Sequence, residues 1–149
     1  FIEYSPLGLK YLKDIFKCIK KNDGGLLIID YGYFDKKMEN TLQAIYNKKY
    51  SKVLENIGKS DITYNINFHY IKKIAKNFKK LDTYFTSQGK FLTKLGIHQR
   101  AEILGKNKTF SEKSNMFFRL RRLVDKKEMG DLFKVMFIKR SSNNFQTGF

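Results

Sequence analysis

The chain has 149 residues, 42% hydrophobic and 15% aromatic, which is enough for one compact core and too apolar for a disordered segment. Its longest apolar run, Leu26-Leu27-Ile28-Ile29, is far shorter than the ~18 residues of a membrane span. The net charge of +16 raises nucleic acid as a partner, but the excess is almost all lysine, with arginine only at 100, 119, 121, 122 and 140. Scattered lysine in an Asn- and Ile-rich chain with one proline suits a solvated surface encoded by an AT-rich gene, so nucleic-acid binding is the minor reading.

Ser5-Pro6 predicts a helix start, and Leu9, Leu12, Ile15, Phe16 and Ile19 recur at helical spacing. Cys18, the lone cysteine, is assigned to that apolar face as a buried, inert thiol, and one cysteine excludes an intrachain disulfide and a multi-cysteine zinc site. Asn22-Asp23-Gly24-Gly25 ends the helix, and Leu26–Ile29 reads as a strand covered on both faces. Residues 31–67 lack periodicity and are expected to be a functional loop or irregular insertion. Asn67 caps a helix carrying Phe68, Ile71, Ile74, Ala75 and Phe78, and Thr83–Thr86 is a short strand. Helices over Gln88–Leu95 and His98–Leu104 stop at Gly96 and Gly105. Thr109 and Glu112 fit a capping box that opens a helix through Leu123. Leu132–Ile138 is a strong strand, and Ser141–Phe149 is expected to be a polar surface tail. The alternation predicts an α/β fold.

Asp30-Tyr31-Gly32 falls at the carboxyl end of the first strand, where open α/β sheets bind ligands, although Asp30 equally suits a local turn cap. Asp61 and Thr63 offer an acceptor and a hydroxyl two residues apart, suited either to holding a guanidinium or to an Asx-turn. His69 and His98 have no ligand-spaced partners, and no Gly-x-Ser-x-Gly, Gly-x-Gly-x-x-Gly or Walker loop occurs. Arg119, Arg121 and Arg122 form the only dense arginine cluster and read as a solvated helix face. The residues by themselves therefore give an α/β domain with a long loop and no decisive catalytic signature.

Several motifs together resemble one family. Gly24-Gly25-Leu26-Leu27-Ile28-Ile29-Asp30-Tyr31-Gly32 is followed by Thr41-Leu42-Gln43-Ala44, and Asp61-Ile62-Thr63 by Asn67-Phe68. Gln88-Gly89, Phe91-Leu92, Leu95-Gly96-Ile97 and Arg100 come next. Arg122-Leu123, Met129-Gly130-x-Leu132-Phe133-Lys134-Val135 and the terminal Gly148-Phe149 close the series. In order and spacing these resemble the MidA-like S-adenosylmethionine (SAM)-dependent methyltransferases, whose mitochondrial members support complex I assembly by dimethylating an arginine of a complex I subunit. Two positions depart from the pattern: Tyr46-Asn47-Lys48-Lys49 lacks the histidine usual there, and Asn67 stands where aspartate is usual.

The resemblance implies the C-terminal part of a Rossmann-like (class I) SAM-dependent methyltransferase sheet with an antiparallel last strand. Residues 1–149 would be the C-terminal portion of a single domain, with the SAM-binding N-terminal half lying before Phe1. It further implies a protein substrate and SAM as cofactor of the complete enzyme, in a bacterial cytoplasm or a mitochondrial matrix. Asp30, Tyr31, Gln43, Asp61, Thr63 and Gln88 are the candidate substrate-binding residues. No cofactor-binding residue or metal ligand is assigned within this chain, which alone is expected to bind no SAM, to be inactive and to be marginally stable. The competing expectations are a basic nucleic-acid-binding module, which would stack its aromatics on bases, and an inactive scaffold or split-gene product.

Overall fold

The computed structural model describes residues 3–149. Helix α1 spans Pro6–Asn22, with Ser5 Oγ accepting from the Gly8 amide as its cap. Strand β1 spans Gly25–Tyr33, and helix α2 spans Phe68–Lys76 behind its cap Asn67, whose side chain accepts from the Tyr70 amide. Asparagine thus makes the capping bond that the usual aspartate would make at this position. Strand β6 (Leu81–Ser87) leads into helices α3 (Gln88–Lys94), α4 (Ile97–Gly105), α5 (Phe110–Val124) and the single turn α6 (Met129–Leu132). Strand β7 (Phe133–Arg140) ends the regular structure.

β7 lies between β1 and β6 and is antiparallel to both, Gly25 to Tyr31 pairing with Lys139 to Phe133 and Leu81 to Ser87 with Arg140 to Lys134. The two-residue strand β5 (Ile66–Asn67) joins the other edge of β1 in parallel at Gly32 and Tyr33, giving the order β5-β1-β7-β6. All three expected strands share one sheet, and its last strand is antiparallel. α1 and α2 cover one face. Their Phe16, Phe68, Ile71, Ile74 and Ala75 pack with Met136 and Ile138, and Leu26, Ile28 and Phe85 close around them.

Four expectations are corrected. β1 is not covered on both faces: its burial alternates, and Leu27 and Ile29 on the face away from α1 and α2 are 46% and 47% exposed. Cys18 is exposed rather than buried, because the buried ridge of α1 is Phe16 and Ile19 and a helix turns about 100° per residue. The 31–67 segment is not an irregular loop. It holds a second sheet of order β3-β2-β4, built from β2 (Gln43–Tyr46), β3 (Lys49–Ser51) and β4 (Asp61–Thr63). β2 and β3 are joined by Asn47 and Lys48, both at positive φ, a two-residue turn without the glycine that usually announces it. Finally, the tail is exposed over most of its length but its end is packed: Phe149 stacks on Phe137 and also meets Phe91 and Tyr84, while Phe145 meets Phe137 edge-on. Lys139, buried beneath them, donates to the Asn143 carbonyl.

The helical region packs about one carbonyl. An added Cβ at Gly89 would lie 2.4 Å from the Val124 oxygen, and one at Gly130 only 2.2 Å from the same atom. Gly130→Ala is expected to destabilise the chain by about 1–3 kcal/mol through forced separation of α3, α5 and α6. Urea unfolding with the midpoint as readout checks this, and an unchanged midpoint would count against the packing described.

The capping box of α5 is complete, with Thr109 and Glu112 each bonding the other's backbone amide. The Thr109 amide, Lys108 and the Thr109 hydroxyl hold the Glu112 carboxyl down at about 2. Because the folded-state value is depressed, the contribution to stability is present above the usual carboxylate range and is lost as pH falls toward 2. A carboxyl-carbon NMR titration should place the Glu112 midpoint near 2. In Thr109→Ala it should move up toward an ordinary glutamate.

Candidate functional site at the carboxyl end of the sheet

β1 and β6 run parallel, so their carboxyl ends lie at the same end of the sheet as the start of β7. The small sheet leaves and rejoins the fold at this end, between Tyr33 and Ile66. Gly32 makes the return possible. A Cβ there would meet the Ile66 carbonyl at 2.3 Å and the Phe68 ring at 2.6 Å, so only glycine lets β5 and α2 close on β1. Phe34 then stacks on Phe85 with centroids 4.3 Å apart and meets His69 edge-on at 5.3 Å.

Successive strand residues point to opposite faces, and this separates Asp30 from Tyr31. Asp30 Oδ1 accepts from the Tyr31 amide at 2.8 Å, the local cap foreseen as the alternative role. Tyr31 lies on the open face, 45% exposed, with its ring 4.3 Å from that of Phe133. Gln43 and Thr63 do meet, the Gln43 amide donating to the Thr63 hydroxyl at 3.2 Å across the β2–β4 ladder. Asp61, two residues along β4, shares that strand face and is exposed; it sits in a strand, not in an Asx-turn.

Gln88 is separate from all of these. It is buried at the start of α3 and donates to the carbonyls of Leu123 at 3.0 Å and Met129 at 3.5 Å, tying α3 to α5 and α6.

One residue escaped sequence reasoning altogether. The Glu3 carboxylate accepts from the Thr41 amide (3.0 Å), the Thr41 hydroxyl (2.7 Å) and the Leu42 amide (3.1 Å). The Thr41 hydroxyl in turn accepts from the Asn65 amide at 2.8 Å. This network fixes both ends of the small sheet. A lone glutamate 38 residues before its partner carries no local signal.

The sheet also has an open side. β7 occupies one edge of Gly25–Tyr31, and among the described residues no strand pairs with the other. Beside that edge lies an apolar groove of about 270 Å³, lined by residues that include Leu9, Leu12, Leu26, Ile28 and Ile66.

A family described as "Putative S-adenosyl-L-methionine-dependent methyltransferase" matches residues 1–86, more than half of the chain. The chain belongs to this methyltransferase family. The mitochondrial protein arginine methyltransferase NDUFAF7 of Danio rerio is 27% identical over 116 residues, covering 78% of this chain and 27% of that protein. The corresponding Caenorhabditis elegans homolog is 30% identical over 99 residues, covering 66% and 23%. This chain therefore spans about a quarter of the curated relatives it matches. Two crystal structures of COG1565-superfamily protein from Burkholderia thailandensis share its fold. One has a TM-score of 0.74 at 23% identity, over 93% of this chain and 39% of the other. The second, bound to S-adenosyl-homocysteine, has a TM-score of 0.73 at 22% identity, over 93% and 38%. The sheet of this methyltransferase-family chain is accordingly the methyltransferase sheet with its antiparallel last strand.

The space at Gly32 is filled by the chain's own carbonyl and Phe68, and Asp30 spends one oxygen on its own backbone. Replacing Gln88 by alanine should destabilise the chain by about 1–3 kcal/mol, since a buried side chain is lost and two part-buried carbonyls lose their donor. Chemical denaturation measures this. Lost activity with unchanged stability would instead mark Gln88 as a binding residue.

Proposed function

We propose that this chain forms the C-terminal part of one methyltransferase domain that modifies arginine on a protein, a respiratory complex I subunit being the leading candidate. The single observation that carries the reading is the half-finished sheet. Along Gly25–Tyr31 one edge has no partner strand among the described residues, and Leu27, Ile29 and Tyr31 face outward beside it. A preceding segment that added a strand to that edge and helices to that face would bury the exposed halves of three large side chains. That is worth roughly 2–4 kcal/mol. The relatives' names support the arginine reading, and most of their length lies outside the matched part.

In this reading the preceding segment holds SAM, and the present chain supplies the wall on the substrate side. Gln43, Thr63 and Asp61 share one face of the small sheet at the ligand-binding end, the first two already hydrogen-bonded to each other. A carboxylate and polar groups so grouped suit the orientation of a guanidinium. Asp30 and Tyr31 border the same end, whereas Gln88 serves packing. The compartment would be a mitochondrial matrix, as the relatives' names suggest, or a bacterial cytoplasm.

The test compares this chain alone with the chain joined to the segment encoded upstream of it, by SAM calorimetry and by arginine methylation of complex I subunits. Binding and turnover are expected only for the joined protein. Ile29→Asp should cost the chain alone only about 1 kcal/mol and abolish SAM binding in the joined form, because half of Ile29 stays exposed until the sheet is completed. Asp61→Asn should lower kcat/KM at least about tenfold with SAM affinity intact. Tight stoichiometric SAM binding by the chain alone overturns the reading. A joined protein that binds SAM but methylates nothing favours the inactive scaffold.

A further inference from the structure

Helix α5 carries features that neither the core nor the methyltransferase reading uses. Phe110 and Phe118 are 89% and 71% exposed, and the latter stands between Arg121 and Arg122 on the helix surface. These three residues and Glu128 line an open hollow of about 370 Å³. Arg121 and Arg122 are two of only five arginines in a chain otherwise charged by lysine. Phe110 precedes Phe118 by eight residues, about 12 Å along the helix and about 80° around it.

The charge of this region is unbalanced. α5 has four basic residues, Lys113, Arg119, Arg121 and Arg122, against one acid, Glu112. Glu112 is committed to the capping box and to Lys108. Asp125 accepts from the Lys127 amide and lies 3.5 Å from Arg121. Arg122 forms no ion pair among the described residues, and Glu128 is the sole carboxylate lining the hollow. Exposed phenylalanine flanked by guanidinium groups is the composition of a protein-binding hot spot, where the aromatic ring is buried and the arginine fork takes a carboxylate.

From this we infer that the Phe110–Phe118–Arg121–Arg122 face of α5 docks an acidic segment of another protein, one carrying aliphatic side chains between its carboxylates. The strand order separates this face from the segment proposed to complete the sheet. The open edge is on β1, whereas α5 lies in the helical insertion between β6 and β7 and packs on α3, α4 and α6. A nucleic acid is the poorer match, since the two rings stand farther apart than adjacent stacked bases. A membrane surface is flat, whereas this site is a hollow with guanidiniums on either side of the ring. The inference does not depend on methyl transfer.

The test is fluorescence anisotropy on the chain with four labelled probes. These are a short helical peptide alternating Asp and Glu with Leu, polyglutamate of equal length, vesicles rich in phosphatidylglycerol, and a single-stranded oligonucleotide. The acidic Leu-containing peptide is expected to bind at least about tenfold more tightly than polyglutamate. Phe118→Ala and Arg122→Glu should each weaken it about tenfold with an unchanged melting temperature, since both side chains are exposed. Lys20→Glu on α1, of the same charge change, should leave it within about twofold. Binding of polyglutamate as tight as the Leu peptide, or equal weakening by Lys20→Glu, overturns the proposal as nonspecific charge attraction. Selective binding of vesicles or oligonucleotide, lost in Phe118→Ala, overturns it in favour of those partners.

Discussion

The antiparallel pairing of β1 with β7 is the interaction on which the rest of the structure depends. It joins residues more than a hundred positions apart, Gly25 with Lys139 and Tyr31 with Phe133, and so closes nearly the whole chain into one unit. Such a contact is costly in loop entropy and must be repaid by burial. Met136 and Ile138 of β7, both fully buried, are the strand's contribution to the core against α1 and α2. Because β7 also pairs with β6 along its other edge, it is the central strand, and the helices between β6 and β7 form one long excursion that both strands anchor. The tail is fixed by the same strand, through Phe137 and Lys139.

That architecture explains what was readable in the sequence. The runs at Leu26, Thr83 and Leu132 announce strands because they are short, apolar and β-branched or aromatic. The caps Ser5, Asn67 and Thr109 fix three helix starts through local chemistry, and all three bond as expected. What escaped was non-local or unmarked. The small sheet at 43–63 uses strands of three or four residues and an Asn47-Lys48 turn without glycine, too little pattern for periodicity to register. Whether β1 is covered once or twice depends on partners that no local window contains. Four consecutive apolar residues look alike in either case.

The candidate site was partly legible. Gln43 and Thr63, twenty residues apart, meet across a ladder, and Asp61 shares their face. Asp30 and Tyr31, adjacent in sequence, diverge to opposite faces because neighbouring strand residues must. Glu3, which anchors the entry to the small sheet through Thr41 and Leu42, was invisible because a single carboxylate has no pattern. Gln88 was selected as a polar residue within a motif. Its burial and two carbonyl partners show a side chain satisfying backbone, the commonest reason for a glutamine to be inside.

A further consequence concerns what the family motifs encode. Gly32 yields space to Ile66 and Phe68, Gly89 and Gly130 close on one carbonyl of α5, and Thr41 and Gln88 bind backbone groups. Each of these motif residues acts on packing, and the Thr41 hydroxyl and the Gln88 amide nitrogen are bonded within the chain. Packing constraints of this kind tolerate almost no substitution, since a single methyl group placed 2.2–2.4 Å from a carbonyl forces elements apart. Motifs built from such residues mark membership of a fold family sharply. Residues of this kind say little of catalysis, which depends on groups whose side chains must remain free. The same motifs also hold Gln43, Asp61 and Thr63, whose polar side chains lie together on the small sheet, so they combine residues fixed by packing with residues that are not. The exposed column of Leu27, Ile29 and Tyr31 belongs to neither group: it lies beside the edge of β1 that is unpaired among the described residues, and it is what the proposed completion of the sheet would bury.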